Sequence, residues 1–182
     1  MMKYLLGLLI LISAGNSVFA QEIDWIEKSD EELAIQFYQD GEYEKARDIF
    51  EDLLKRGQNR HLSDYYFNCL IKLEDYGAAE KFLKKEIKGG NNRHVFMVEL
   101  GYVYELMDDE KNSEKTYEEV IDELPNNEIT VQAVASAFER RRHDDYAIEA
   151  YEKGRELSGI PGVFAKQLAE LYMTKGNIDR MV

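Results

Sequence analysis

The run LGYVYELMDDEKNSEKTYEEVIDELP, residues 100–125, decides the architecture. It holds a large residue followed by a small one (Leu100, Gly101), an aromatic one helical turn later (Tyr104), and an acidic break at Asp108-Asp109-Glu110. A second stretch then carries a small residue, Ser113, with Tyr117 four positions on, and Pro125 closes the run. Apolar residues three or four apart on both sides of the break predict two amphipathic helices. The break is short and acidic, which suits the end of one helix and the start of the next.

The same arrangement recurs along the chain. GEYEKARDIFEDLL from Gly41, EDYGAAEKFLKKEI from Glu74, DDEKNSEKTYEEVI from Asp108 and RHDDYAIEAYEKGREL from Arg142 align with one another. Their small residues, Ala46, Ala79, Ser113 and Ala147, are spaced 33, 34 and 34, and Phe50, Leu83, Tyr117 and Tyr151 follow four positions later. A first helix precedes each segment, marked by Leu33-Ala34, Tyr66-Phe67, Leu100-Gly101, Val134-Ala135 and Leu168-Ala169. Phe37, Leu70, Tyr104, Phe138 and Tyr172 complete those helices at the same period. Breakers or caps fall within pairs at Asp40-Gly41, Asp75, Asp108-Asp109, Asp144 and Lys175-Gly176-Asn177. Between pairs stand Arg56-Gly57-Gln58-Asn59, Gly89-Gly90-Asn91-Asn92, Pro125-Asn126-Asn127 and Ser158-Gly159-Ile160-Pro161. One helical pair cannot bury both of its faces, so neighbouring pairs must stack. Small residues at the crossing let two backbones approach, and the large residue of the next turn fills the remaining space.

This pattern resembles the tetratricopeptide repeat family, with Leu100, Gly101, Tyr104, Ser113, Tyr117 and Pro125 as the fullest match. The resemblance implies an all-α fold, a right-handed α-solenoid of stacked helix-turn-helix repeats. It covers residues 29–182, with repeats at about 29–59, 60–92, 93–126 and 127–160 and an incomplete one at 161–182. Two positions depart from it. Tyr66-Phe67 has no small second residue, which predicts a locally wider pair, and Gly154 inside a second helix should cost about 1 kcal/mol relative to Ala. Asn177 to Val182 begins a fifth second helix and stops without a polar terminal cap. The expectation is a piece of a longer protein, or a last helix that docks on another chain.

Ahead of the array, Tyr4 to Ala14 is an apolar run of eleven residues after a charged start at Lys3. A helix needs roughly 20 residues to span a membrane, so this run suits a leader rather than an anchor. Val18-Phe19-Ala20 supplies the small residues of a cleavage site, so residues 1–20 read as a signal peptide, Gln21 as the mature start and 21–28 as a lead-in. Removing residues 1–20 takes one Lys and no acid from a formal net charge of −13 and leaves −14. With 36 acidic against 23 basic residues, binding to duplex nucleic acid is excluded as an expectation, because it needs a basic footprint. A single cysteine, Cys69, excludes a disulfide scaffold, and inside a helix it reads as a half-buried thiol.

No catalytic, cofactor or metal motif is visible: there is no phosphate-binding glycine loop, HExxH or GxSxG. His61 and His94 recur within GQNRH (57–61) and GNNRH (90–94), where a shared anion contact competes with Asn59 and Asn92 acting as helix caps. Arg140, Arg141, Arg142 and His143 form the densest basic cluster. They read either as a patch for an acidic partner or lipid head group, or as cations closing a helix against its dipole. Asp108-Asp109-Glu110 lacks the alternating acids of a calcium loop and reads as an acidic helix start.

In the family it resembles, the concave groove is lined by first-helix residues that face away from the core. The register nominates Ile35, Tyr38 and Gln39 from the first pair, then Asn68 and Lys72, Tyr102 and Glu105. From the last pairs come Gln132, Ser136 and Glu139, with Lys166 and Glu170. Tyr38 and Tyr102 are the aromatic anchors. The cationic clamp with which chaperone-binding members hold a C-terminal carboxylate is not reproduced, since matching positions include Glu31, Ile35, Asp64, Val95 and Glu99. The implied function is a non-catalytic protein–protein interaction scaffold of the bacterial envelope, exported to the periplasm or the periplasmic face of the outer membrane. It takes a protein or peptide partner and no nucleic acid, small-molecule substrate or cofactor. The alternative is the extracytoplasmic sensor part of a membrane-bound signalling protein whose other domains lie beyond Val182.

Overall fold

The computed structural model describes residues 29–57, 60–90 and 92–176. The expected leader and lead-in at 1–28, the caps or turn residues at 58, 59 and 91, and the fifth second helix at 177–182 lie outside the described residues. Among those described there are nine α-helices and no strands. They fall into two compact units, divided between Glu74 and Asp75.

The first unit holds α1 (Asp30–Gln39), α2 (Tyr43–Lys55), a 3₁₀ turn (Arg60–Leu62) and α3 (Ser63–Lys72). α1 starts at a capping box: the Ser29 hydroxyl accepts from the Glu32 amide at 3.2 Å, and the Glu32 carboxylate accepts from the Ser29 amide at 3.2 Å. α2 packs against both α1 and α3. The contact is centred on Ala34, Ala46 and Phe50, all fully buried, with Leu53, Leu62 and Cys69 around them. Tyr65 stacks on Phe50 at 5.5 Å and meets Tyr38 edge-on at 5.2 Å.

The second unit holds α4 (Tyr76–Gly89), α5 (Arg93–Leu106), α6 (Glu110–Asp122), α7 (Glu128–Arg140), α8 (Asp144–Ser158) and α9 (Ala165–Thr174). α5 pairs with α6 and α7 with α8, while α5 also lies against α7 and α6 against α8. First helices therefore stack on first helices and second on second, the all-helical stacked pairs that the period predicts. The positions read from that period are the core: Ala79, Leu83, Ser113, Tyr117, Ala147 and Tyr151 are all buried, as are Val134, Ala135 and Phe138. Burying each large apolar side chain among them contributes about 1.5–3 kcal/mol.

Gly101 and Gly154 mark the closest approaches. A methyl group at Gly101 would sit 2.2 Å from Tyr117 Cε1, and one at Gly154 would sit 2.5 Å from Val131 Cγ1 and 2.9 Å from Phe164 Cε2. At 154 glycine is therefore required rather than merely costly: nothing larger fits, and the helix cost is offset by the packing that it admits.

One residue in the left-handed region recurs at the repeat period, each just after a helix. These are Gly41, Glu74, Asp108, Arg142 and Gly176, with φ of 78°, 56°, 56°, 64° and 73°. Asp75 and Asp109 follow as side-chain caps, accepting from the Ala78 and Asn112 amides at 3.1 and 3.2 Å. Asp144 is not the cap expected of it. His143 occupies the N-cap position without a side-chain cap bond, and Asp144 is the first helical residue, complementing the dipole as a charge. Asn92 likewise precedes α5 in a left-handed conformation and makes no cap bond with its side chain.

Candidate functional site

The nominated residues of the second unit form a stripe on its first helices. Residues four or three apart share a helix face, so Tyr102 and Glu105 on α5 continue into Gln132, Ser136 and Glu139 on α7 and Lys166 and Glu170 on α9. Gln132, Glu139, Lys166 and Glu170 are exposed, whereas Tyr102, Glu105 and Ser136 are half-buried. Lys166 and Glu170 approach to 3.8 Å, one turn apart. Met173, 62 % exposed, continues the Glu105–Glu139 register onto α9 and was missed in the sequence. Its 34-residue spacing from Glu139 is the signal that could have found it.

Several of these side chains are already engaged within the unit. The Arg141 guanidinium lies over the Tyr102 ring at 4.1 Å, so this aromatic anchor presents a capped face. Arg141 also forks onto Glu99: Nε donates to Oε2 at 2.8 Å and Nη2 bonds the same oxygen. Arg140 Nη2 reaches Glu99 Oε1 at 3.3 Å. Glu99 is buried, and this pairing is what allows a carboxylate to sit there. The basic cluster is thus corrected from an open patch: Arg140 and Arg141 serve as α7-to-α5 ties, and Arg142 remains exposed in the turn.

His143 completes the cluster. Its Nε2 lies 3.0 Å from Glu105 Oε2 and 3.4 Å from the Tyr117 hydroxyl, and its ring packs on Tyr117 and Tyr146. Burial, followed by the Glu105 charge, holds the Tyr117 hydroxyl well above its ordinary pKa, so it stays protonated. A cavity of about 390 Å³ opens beside this group, edged by Glu105, Asp108, Glu110 and Glu114. No group of three or more His, Cys, Asp or Glu among the described residues has a metal-binding arrangement.

In the first unit, Gln39 and Lys72 are exposed, and Ile35 and Asn68 are half-buried. Tyr38 is not a free anchor, because its ring is held by Tyr43 at 5.6 Å and by Tyr65. Burial there raises its pKa. The two Arg-His signatures also differ from a shared anion site. His61 Nε2 meets Glu31 Oε1 at 2.8 Å within the first unit. In the second unit Arg93 pairs with Glu123, and His94 Nε2 lies 3.0 Å from the Glu123 carbonyl oxygen. Both residues of that pair tie the start of α5 to the end of α6.

Residues 96–127 match the tetratricopeptide repeat family. No curated protein matches the chain. Among solved structures, the crystal structure of TTC0263, a thermophilic TPR protein in Thermus thermophilus, is 19 % identical with a TM-score of 0.46, covering 84 % of each chain. A crystal structure of the MamA protein is 17 % identical with a TM-score of 0.45, again covering 84 % of each chain. MamA 41-end from Desulfovibrio magneticus RS-1 is 18 % identical with a TM-score of 0.43, covering 85 % of this chain and 90 % of that one.

Proposed function

We propose that the chain is a non-catalytic protein–protein interaction scaffold that holds a protein or peptide partner along the first-helix face of its repeats. The observation that carries this reading is the recurrence at 34-residue spacing of half-buried and exposed positions, Tyr102, Ser136 and Glu170 beside Glu105, Glu139 and Met173. A periodic face of mixed aromatic, amide, carboxylate and thioether groups suits an extended polypeptide, which can offer side chains at matching intervals. The tetratricopeptide match at 96–127 supports the same reading, since such repeats are protein-binding units. In this proposal the partner belongs to an envelope complex, and the chain reaches the periplasm or the periplasmic face of the outer membrane. The support for that is the apolar run Tyr4 to Ala14 and its Val18-Phe19-Ala20 end.

Photo-crosslinkers placed at Gln132 and at Glu170 in living cells test the face. Both should capture one envelope protein, and Tyr102→Ala should weaken the capture. A crosslinker at Lys153, on the second helix α8, should not capture it. The same yield from all three positions, or none from any, refutes the proposal. N-terminal sequencing tests export: Gln21 is expected as the first residue, and retention of Met1 in the cellular protein overturns it.

A further inference from the structure

A second cavity of about 390 Å³ opens in the 75–182 unit between α4, α5 and α6. Its floor is apolar, built from Ile87, Met97, Leu100 and the Tyr104 ring. Its rim carries four cations, Lys84, Lys88, Arg93 and Lys115, against one acid, Glu119. That local balance opposes the chain's net −13. Among the described helices α4 alone is net positive, with four Lys and two Glu. Two rim cations are already engaged: Lys84 pairs with Glu80 at 2.6 Å, and Arg93 with Glu123 and, at 3.9 Å, with Glu119. Lys88 and Lys115 are exposed on α4 and α6.

The cavity is distinct from the first-helix face. On α5, Tyr102 lies two residues from both Leu100 and Tyr104, about 200° around the helix at 100° per residue. A partner held through Tyr102 would leave the cavity open.

We infer that this cavity is a second docking site, which takes an apolar side chain of an acidic partner peptide, with the Asp or Glu residues flanking that side chain meeting Lys88 and Lys115. Charge complementarity selects this occupant. The floor favours burial of a Trp-, Phe- or Leu-sized group, and the cationic rim favours carboxylates on either side. An anionic membrane fits less well, because the cations ring a concavity between three helices while the protein as a whole carries repelling charge.

Fluorescence anisotropy on the full chain tests this with a short labelled peptide of Asp and Glu around one central Trp. Saturable binding is expected. Lys88→Glu combined with Lys115→Glu should weaken it at least about tenfold, with an unchanged circular-dichroism spectrum. Thr116→Phe, which fills the cavity without altering charge, should weaken it too. Gln132→Ala and Glu170→Ala on the first-helix face should leave it unchanged, which keeps this site separate from the proposed groove. Replacing the peptide's Trp by Ser should cost most of the affinity. Equal binding to the charge-reversed protein, or equal binding of the Trp and Ser peptides, overturns the inference. So does a wild-type chain that ignores the peptide, or one that binds phosphatidylglycerol vesicles in a Lys88- and Lys115-dependent way without binding the peptide.

Discussion

In Gly154→Ala the added methyl must enter a space already occupied by Val131 and Phe164. Helix propensity alone favours the change by about 1 kcal/mol. Carbon atoms pack best about 3.5–4.0 Å apart, whereas the new Cβ would lie 2.5 and 2.9 Å from the two Val131 methyls and 2.9 Å from the Phe164 ring. Neither neighbour is placed to yield. Val131 is 1 % exposed, on a helix that restricts its χ1, and Phe164 is 7 % exposed with its ring 5.0 Å from that of Tyr151. Overpacking of a dense core costs about 1–3 kcal/mol, and three simultaneous close contacts put this site at the upper end. The expected net loss is about 1–2 kcal/mol. Urea unfolding followed by far-UV circular dichroism reads the loss, and hydrogen exchange of peptides from α7 and α8 locates it. Gly77→Ala is the control, since Gly77 is exposed on α4 with nothing within 4 Å of the added methyl, and it should be neutral or stabilising. Combining Gly154→Ala with Val131→Ala should recover stability with a coupling of about 0.5–3 kcal/mol. A Gly154→Ala protein at least as stable as the wild type refutes the close-packing argument.

Glu99→Gln keeps the side-chain volume but strands the Arg141 fork, and a loss of about 2 kcal/mol is expected in urea unfolding, against under about 1 kcal/mol for Arg140→Ala at the exposed end. Equal losses would show that the buried fork is not the stabilising part. Arg142→Gly relieves an exposed left-handed residue at φ 64° and should stabilise by about 0.5–1 kcal/mol; a lower unfolding midpoint would contradict that. Burial pushes the Cys69 thiol up to about 12, so a disulfide-exchange reagent should leave it untouched in the folded chain and label it in denaturant. Partial desolvation, and then Asp122, Glu152 and Glu118, raise the Glu149 pKa; Glu139 is raised likewise, with Asp144 and Glu170 as the neighbouring charges. The folded state then holds protons that the unfolded state has released. The destabilisation is full above the raised value and is relieved as pH falls through it toward the ordinary carboxylate pKa. Glu149→Gln should therefore stabilise at neutral pH and lose its advantage in acid, as read from urea midpoints of mutant and wild type at both pH values.

Much of the interior was legible in the sequence. Ala46 with Phe50, Ser113 with Tyr117 and Ala147 with Tyr151 are buried as the period requires, because a helical stripe that recurs every 33 or 34 residues must face its neighbours for pairs to stack. The polar ties were not legible. Arg140 and Arg141 meet Glu99 across 41 and 42 residues, and His143 meets Glu105 across 38, separations that match no multiple of the repeat. Tyr38 and Tyr102 were nominated as anchors from the register alone. What they face was invisible, since a ring from another helix and a guanidinium from a turn cover them.

The sequence by itself therefore determined the described helices, their order and many of the residues that pack them, since periodic burial is written one position at a time along the chain. Only the tertiary structure decided which polar groups are consumed internally and which still face outward. That outcome depends on side chains from separate helices reaching one point in space, and hydrogen bonds and ion pairs act only over a few ångströms. It closed the basic cluster onto Glu99, made Gly154 a packing necessity, and left a cation-rimmed cavity on an acidic chain.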